Sequence, residues 1–383
     1  MDLIQTDRLV HCFKKLVEID SISFKERAMA EALKKDFAQA GVLLCEDQAN
    51  ESYGSEVGNL YGYLPGSNGE DPLLFSCHMD TVEPGIGKKA IVHADGKITS
   101  DGKTILGADD LAGMSALLEA LHILQKNHLP HRPIEILLPF AEEAYVKGSR
   151  FFDFSKLKAK EGYILDLSAP IGTASLQEPT LITFTISVYG KAAHAGFAPE
   201  KGIHAIAAAA EMIRRLPCGR MDEETVSNIG MIHGGIGINI VPEKVVMKGE
   251  LRSYSHDKAM QWMEKIRRIA LEGAALYKAS VDVSSQIELT AYQIDPAEPI
   301  VRHFEEACRK EGIKPELTRT FGGSDANSLN RAGKKAIVLA SAMYACHTRN
   351  EYTTIEDMKK VTAVILRLMR GAEHENTDAL SDK

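Results

Sequence analysis

The chain has 383 residues, 44% of them apolar and 26% charged, with a formal net charge of −8. Its length exceeds the roughly 250 to 300 residues at which one core stops growing, so two domains are expected, and its composition excludes disordered, collagen-like and fibrous classes. The acidic balance argues against a nucleic-acid or membrane partner, because nucleic acid and anionic lipid both demand a basic face.

In chain order, the first twenty residues carry charge throughout and place Leu9, Val10, Phe13, Leu16 and Val17 on one helical stripe, which reads as a helix and not a signal peptide. Ser23 followed by Glu26 has the spacing of a capping box for a second helix, which Gly41 stops. Strands are predicted at 57–64 and 72–77, then a helix from near Asp110 that buries Met114, Leu117, Leu118, Leu121 and Leu124. Further apolar strands at 133–140 and 162–168 alternate with helices, which predicts an α/β class with a mainly parallel sheet covered by helices.

The middle of the chain changes character. Residues 178–291 read as strand, helix, strand, strand, helix, strand, the βαββαβ (ferredoxin-like) order of a compact α+β unit inserted as a lid. One strand is predicted to run through INIVPEKVVMKGELRSY. The α/β pattern returns with a helix at 297–311, a strand from Pro315, the turn-rich GGSDANSL, a strand at 335–340 and a last helix from Thr354, which Thr353 and Glu356 would cap. The expected organisation is a catalytic domain in two parts, 1–177 and 292–383, around a lid at 178–291. The tail beyond about Glu373 is polar and expected to fray. Six cysteines, Cys12, Cys45, Cys77, Cys218, Cys308 and Cys346, form no short-spaced pair, which fits reduced thiols in a cytoplasm. No run of about 18 apolar residues occurs, so no membrane span is expected.

Chemistry-bearing side chains gather where apolar strands end. His78 and Asp80 in FSCHMD stand two apart and would leave a strand on the same face. Asp109 in GADD, Glu142 and Glu143 in AEE, Asp166 in ILDLS and His347 in ACHTRNEY occupy comparable places. In open α/β sheets ligands bind beyond the carboxyl ends of the strands, so these groups could converge on one crevice. Carboxylates crowded there would resist burial unless cations compensated them. Two imidazoles and three carboxylates suit two zinc ions that share one carboxylate and leave a position open for water, a centre suited to amide hydrolysis. In that reading Asp109, at a helix amino terminus, bridges. Asp80 fixes the ring of His78, and Glu142 is the general base.

The order HMD, GADD, AEE, a strand-closing aspartate and CHTRNEY resembles the dizinc exopeptidase family of peptidase T, carboxypeptidase G and the aminoacylases, and within it the peptidase T group. The resemblance covers essentially the whole chain. It implies a zinc exopeptidase fold with two Zn2+ per subunit, Co2+ or Mn2+ being alternatives. His78, Asp109 and Asp166 would hold one ion, and Asp109, Glu143 and His347 the other. It further implies that His194 in KAAHAG reaches the substrate carbonyl, and that Asn239 in NIVPE and Arg252 in ELRSY receive polar ends of the substrate. Gly322 and Gly323 in GGSDAN would admit the peptide backbone closely. Lid closure would then exclude water, and the lid would join two copies in a homodimer. The implied activity is removal of the N-terminal residue from tripeptides and other short peptides. A carboxypeptidase or N-acyl-amino-acid deacylase is the same-chemistry alternative, and an inactive peptide-binding scaffold the different-class one. Leu111 stands where the family commonly has lysine, and a common threonine before NIVP is missing.

Taken singly, each motif has a plainer explanation. Asp109 and Asp110 could cap a helix, the Glu pair could be a solvated loop, and Arg252 could be a surface ion pair. Their joint occurrence at strand ends carries the metal reading.

Overall fold

A computed structural model describes residues 3–371; the polar tail beyond Glu373 lies outside the described residues. The chain forms two compact units. The first contains residues up to Gln177, Gln293–Thr320 and the chain from Ser324, and the second contains Glu178–Tyr292 and Phe321–Gly323.

In the first unit, helix α1 (Thr6–Val17) buries Leu9, Phe13, Leu16 and Val17. Val10 is only half-buried, so the apolar stripe is narrower than expected. Helix α2 (Arg27–Gln39) is followed by Gly41 at φ 86°, a left-handed turn that glycine enters without a Cβ penalty. Its start departs from the expected capping box. The Ser23 hydroxyl donates to Asp80 Oδ2 (2.7 Å), and Glu26 Oε1 accepts the N–H of Phe24 (2.8 Å) and of Ala141 (3.0 Å). Ser23 is spent on a distant segment, Glu26 is shared between a distant segment and the turn just before the helix, and no side chain caps α2.

Strands β1 (Leu44–Glu46), β2 (Leu60–Leu64) and β3 (Leu73–Ser76) follow, then an outer pair, β4 (Ile91–Val92) and β5 (Lys97–Thr99). Helix α3 (Ala108–Asn127) is buried nearly all round, the mark of a helix inside a domain; its regular turns begin only after Asp109 and Asp110, whose φ/ψ are non-helical. Strands β6 (Ile134–Leu138), β7 (Glu161–Leu167) and β8 (Thr173–Ser175) end this part.

The second unit contains β9 (Thr180–Tyr189), α4 (Ala205–Arg215), β10 (Thr225–Gly234), β11 (Lys244–Ser253), α5 (His256–Leu276) and β12 (Ser280–Leu289). The strands lie in the order β10-β11-β9-β12, all antiparallel. Ile182, Phe184, Ile186 and Val188 of β9 share one core with Ala208, Ala209 and Met212 of α4 and with Ile266 and Ala270 of α5. The two helices approach closely enough that a Cβ on Gly273 would meet Met212 Cγ at 2.6 Å. The single strand expected over INIVPEKVVMKGELRSY is broken. Ile240–Val241 pairs with Ala193–His194 and only Lys244–Ser253 joins the sheet, because Pro242 offers no N–H to continue the ladder.

The first unit is completed by α6 (Pro299–Lys310), β13 (Glu316–Thr318), α7 (Asp325–Arg331), β14 (Lys335–Ala340), β15 (Tyr352–Thr354) and α8 (Ile355–Arg370). Its large sheet runs β1-β2-β6-β3-β7-β14-β8-β13. The central strands β6, β3, β7 and β14 are mutually parallel, whereas β2 pairs antiparallel with β1 and β6, and β8 pairs antiparallel with β14 and parallel with the rim strand β13. β3 and β6 are buried along their whole length, as expected of strands covered on both faces. Four adjacent parallel strands therefore deliver their carboxyl ends to one edge.

The cap of α8 also differs from expectation. Thr353 is fully buried opposite Ile98, and Thr354, the last residue of β15, is the cap and accepts the Asp357 N–H at 3.0 Å. Thr354→Ala should lower stability by about 1 kcal/mol in urea unfolding, whereas Glu356→Ala should change it by less than about 0.5 kcal/mol.

Candidate metal centre

The predicted donors all belong to the first unit and meet at that edge. His78 follows β3, Glu142 and Glu143 follow β6, Asp166 sits at the end of β7, His347 follows β14, and Asp109 lies at the start of α3. The ligand atoms of His78, Asp109 and Asp166 lie within 4.8 Å of one another, and so do those of Asp109, Glu143 and His347. Asp109 belongs to both groups. Its Oδ1 is 3.0 Å from His78 Nε2 and its Oδ2 is 3.2 Å from His347 Nε2, so each oxygen faces a different imidazole. Asp166 Oδ1 stands 4.0 Å from His78 Nε2, and Glu143 Oε1 stands 3.1 Å from His347 Nε2.

The remaining nitrogen of His78 is fixed from behind. Its Nδ1 is 2.9 Å from the main-chain oxygen of Asp80, nearer than the 3.4 Å to the Asp80 carboxylate. That carboxylate mainly serves a different loop: it accepts the N–H of Glu142 at 2.9 Å and of Glu143 at 3.1 Å. Since Glu26 takes the Ala141 N–H, three successive main-chain donors of the AEE loop end on two buried carboxylates. Ala141, at φ 46°, turns the loop.

Electrostatics test whether cations suit the site. Burial, reinforced by neighbouring acids, drives the carboxyls of Asp166 and Glu142 well above the ordinary range and raises that of Glu143. Against the push of burial, the imidazoles of His347 and His78 hold Asp109 below it. The Asp109 and Glu143 carboxylates carry His347 up to about 10. The cluster thus holds its anions only where positive charge stands beside them. Divalent cations supply that charge, and an imidazole with two carboxylates is a donor set that zinc accepts. The donor chemistry fits a pair of such ions.

Other expected site residues lie in the second unit. His194 is exposed and stacks on Phe197, with ring centroids 4.1 Å apart; its Nδ1 accepts the N–H of Gly196 and Phe197 at 3.1 and 3.2 Å. In the neutral ring this leaves the proton on Nε2. Asn239 is exposed, and its main-chain oxygen accepts the Ala195 N–H at 2.9 Å. Arg252 forks onto the Glu250 carboxylate through Nε (2.9 Å) and Nη2 (3.1 Å) and donates from Nη1 to the oxygen of Phe321 (2.8 Å). Gly322 is exposed and Gly323 half-buried in the short stretch that joins this unit. Leu111 is fully buried.

Sequence reasoning missed the supporting acids: Glu26, Asp325 and Glu351, with Ser23. Asp325, buried at the start of α7, is pushed up to about 6 by desolvation, with the Asp80 charge adding to the rise. The motif GGSDAN was the available signal for it, and HTRNEY for Glu351. Nothing around Glu26 distinguished it from an ordinary helix start.

Residues 176–278 match the family model described as a peptidase dimerisation domain, and residues 59–208 match the model for peptidase family M28. The uncharacterized protein YqjE of Bacillus subtilis is 35% identical over 370 residues, spanning 97% of this chain and 100% of YqjE. Among solved structures, aminopeptidase PepT of Bacillus cereus is similar with a TM-score of 0.88 at 35% identity, spanning 96% of this chain and 99% of that one. A tripeptidase of Staphylococcus aureus has a TM-score of 0.93 at 32% identity, spanning 96% and 98%.

Proposed function

Because this chain belongs to the peptidase T-like group of the M20 peptidases and so hydrolyses peptide bonds, we propose that it releases the N-terminal residue of tripeptides and other short peptides at a two-cation centre. The observation that carries this reading is the pair of donor triads sharing Asp109. His78, Asp109 and Asp166 hold one ion; Asp109, Glu143 and His347 hold the other. Zinc is the proposed metal, with cobalt or manganese able to replace it.

Cations bound there supply Lewis-acid activation of water and of the scissile carbonyl. Glu142 takes the proton of the attacking water and passes it to the departing amine, so that a C–O bond forms and the C–N bond breaks. Asp80 aims this base by holding its main-chain N–H, and Ser23 in turn steadies Asp80. Burial raises the proton affinity of the Glu142 carboxylate, which strengthens it as a base toward the water. From the second unit, His194 offers Nε2–H to the substrate carbonyl. Arg252 keeps donors beyond those engaged by Glu250 and Phe321, and receives the substrate carboxylate with them. Asn239 takes a second polar group, while Gly322 and Gly323 leave room for the peptide backbone.

The second unit is proposed to join two copies. It matches the dimerisation-domain model, and Met231, Ile232, Ile236 and Ile238 on and beyond β10 are 50 to 105% exposed, an apolar edge that a second chain would cover. No helix among the described residues is long and apolar enough to cross a membrane. With six free cysteines, a cytoplasmic location is the proposed one.

Incubation with a tripeptide of three different residues, read by mass, tests the activity. The free peptide should yield its first residue and the C-terminal dipeptide, and N-acetylation should abolish cleavage. Release of the C-terminal residue, or faster turnover of the acetylated peptide, would instead indicate a carboxypeptidase or deacylase.

A further inference from the structure

The turn that carries His347 makes a second connection to Asp109. Glu351, four residues on, is 1% exposed. Its Oε2 accepts the N–H of Leu106 and of Gly107, both at 2.8 Å, and its Oε1 accepts the N–H of Asp109 at 3.0 Å. Main-chain donors at the start of a helix have no intrahelical partner. Just ahead of the regular turns of α3, the N–H groups of Leu106, Gly107 and Asp109 all end on one carboxylate lying 242 to 245 residues further along the chain.

His347 Nε2 meets the side chain of the same Asp109 at 3.2 Å. Asp109 is therefore gripped at its main chain by Glu351 and at its carboxylate by His347, both from one turn. That turn is closed at its base. Tyr344 and Tyr352 exchange two main-chain hydrogen bonds at 3.1 and 3.0 Å, and their rings stack with centroids 5.0 Å apart. Lys97 Nζ sits 4.0 Å from the centre of the Tyr352 ring. The chain then passes through β15, paired with β5, into α8. Glu351 is thus fixed in place by the turn's own closure and by its continuation into β15 and α8.

We propose that Glu351 is a positioning residue that places the shared Asp109 carboxylate so that one oxygen faces each cation site. The inference rests on the two-cation reading above. A carboxylate that merely tied down a loop would affect stability alone. One that orients a shared ligand must also alter how the ions are held, because outer partners of metal ligands commonly change affinity by about 10- to 100-fold when removed.

The full-length chain, stripped of metal, is titrated with Co2+ and followed by calorimetry and visible absorption, alongside Glu351→Gln and Thr354→Ala. The glutamine keeps the size but turns an amide toward main-chain donors. Thr354→Ala loosens the same strand-to-helix junction without touching Asp109. The expected result is two Co2+ per wild-type chain, at least one bound about 10- to 100-fold more weakly in Glu351→Gln with a changed absorption band, and wild-type behaviour in Thr354→Ala. Wild-type affinity and spectrum in Glu351→Gln, or an equal shift in Thr354→Ala, would overturn the assignment. If Glu351→Gln does not fold, Glu351→Asp, which keeps the charge but shortens the reach, takes its place: a changed spectrum supports the assignment and an unchanged one overturns it. Fewer than two Co2+ in the wild type would overturn the two-cation reading itself, and this assignment with it.

Discussion

Glu142→Ala should still bind two cations per chain and yet lose at least about a hundredfold in kcat, the scale on which a general base acts. The two halves of this expectation have separate causes. Glu142 belongs to neither donor triad, so its removal takes no ligand away and relieves an acid cluster in which Glu143 already raises its pKa. The same side chain is the buried carboxylate aimed by the Asp80 bond to its own main chain. Without it, the water must lose its proton to bulk solvent, and a hundredfold loss corresponds to about 2.7 kcal/mol of transition-state stabilisation. KM should change little, because Glu142 is not proposed to hold the substrate. Near wild-type kcat in this variant would take the general base away from Glu142; loss of metal would make it a ligand.

Asp109→Ala should behave in the opposite way and lose both cations. Asp109 is the residue that the two triads share, with one oxygen toward His78 and the other toward His347. His347→Ala provides the internal comparison, since His347 serves one triad only and should cost one ion. Lewis-acid assistance contributes several kcal/mol, so its loss should lower kcat/KM by at least about a thousandfold. Metal analysis of the dialysed proteins reads the difference directly: two ions in the wild type, one in His347→Ala, fewer than one in Asp109→Ala. Two ions retained in Asp109→Ala would end the shared-ligand reading.

Much of this arrangement is legible in the sequence, and the reason is geometric. His78, Asp166 and the Glu142–Glu143 pair each stand at or just beyond a run of apolar residues, and adjacent parallel strands bring such ends to one edge. The antiparallel insertion is equally legible, because its alternating strands and its alanine-rich helix have different periods.

What escapes the sequence is the work of side chains on distant main chain. Glu26 and Glu351 bond to backbone N–H groups 115 and 242 to 245 residues away, and a backbone donor has no residue type to betray it. Ser23 with Glu26 has the spacing of a cap, yet the pull of buried partners outweighs the local bond, and α2 goes uncapped by any side chain. At α8 the ambiguity is local. Thr353 and Thr354 each precede an acid by three positions, and Thr353 is fully buried opposite Ile98 while Thr354, at the end of β15, caps the helix.

The most direct test of the two-cation centre is anomalous diffraction from crystals of the zinc-loaded protein, measured on both sides of the zinc absorption edge. Two peaks are predicted, one about 2.0 to 2.2 Å from donor atoms of His78, Asp109 and Asp166, the other at that distance from Asp109, Glu143 and His347. A single peak, or peaks out of reach of Asp109, would contradict it.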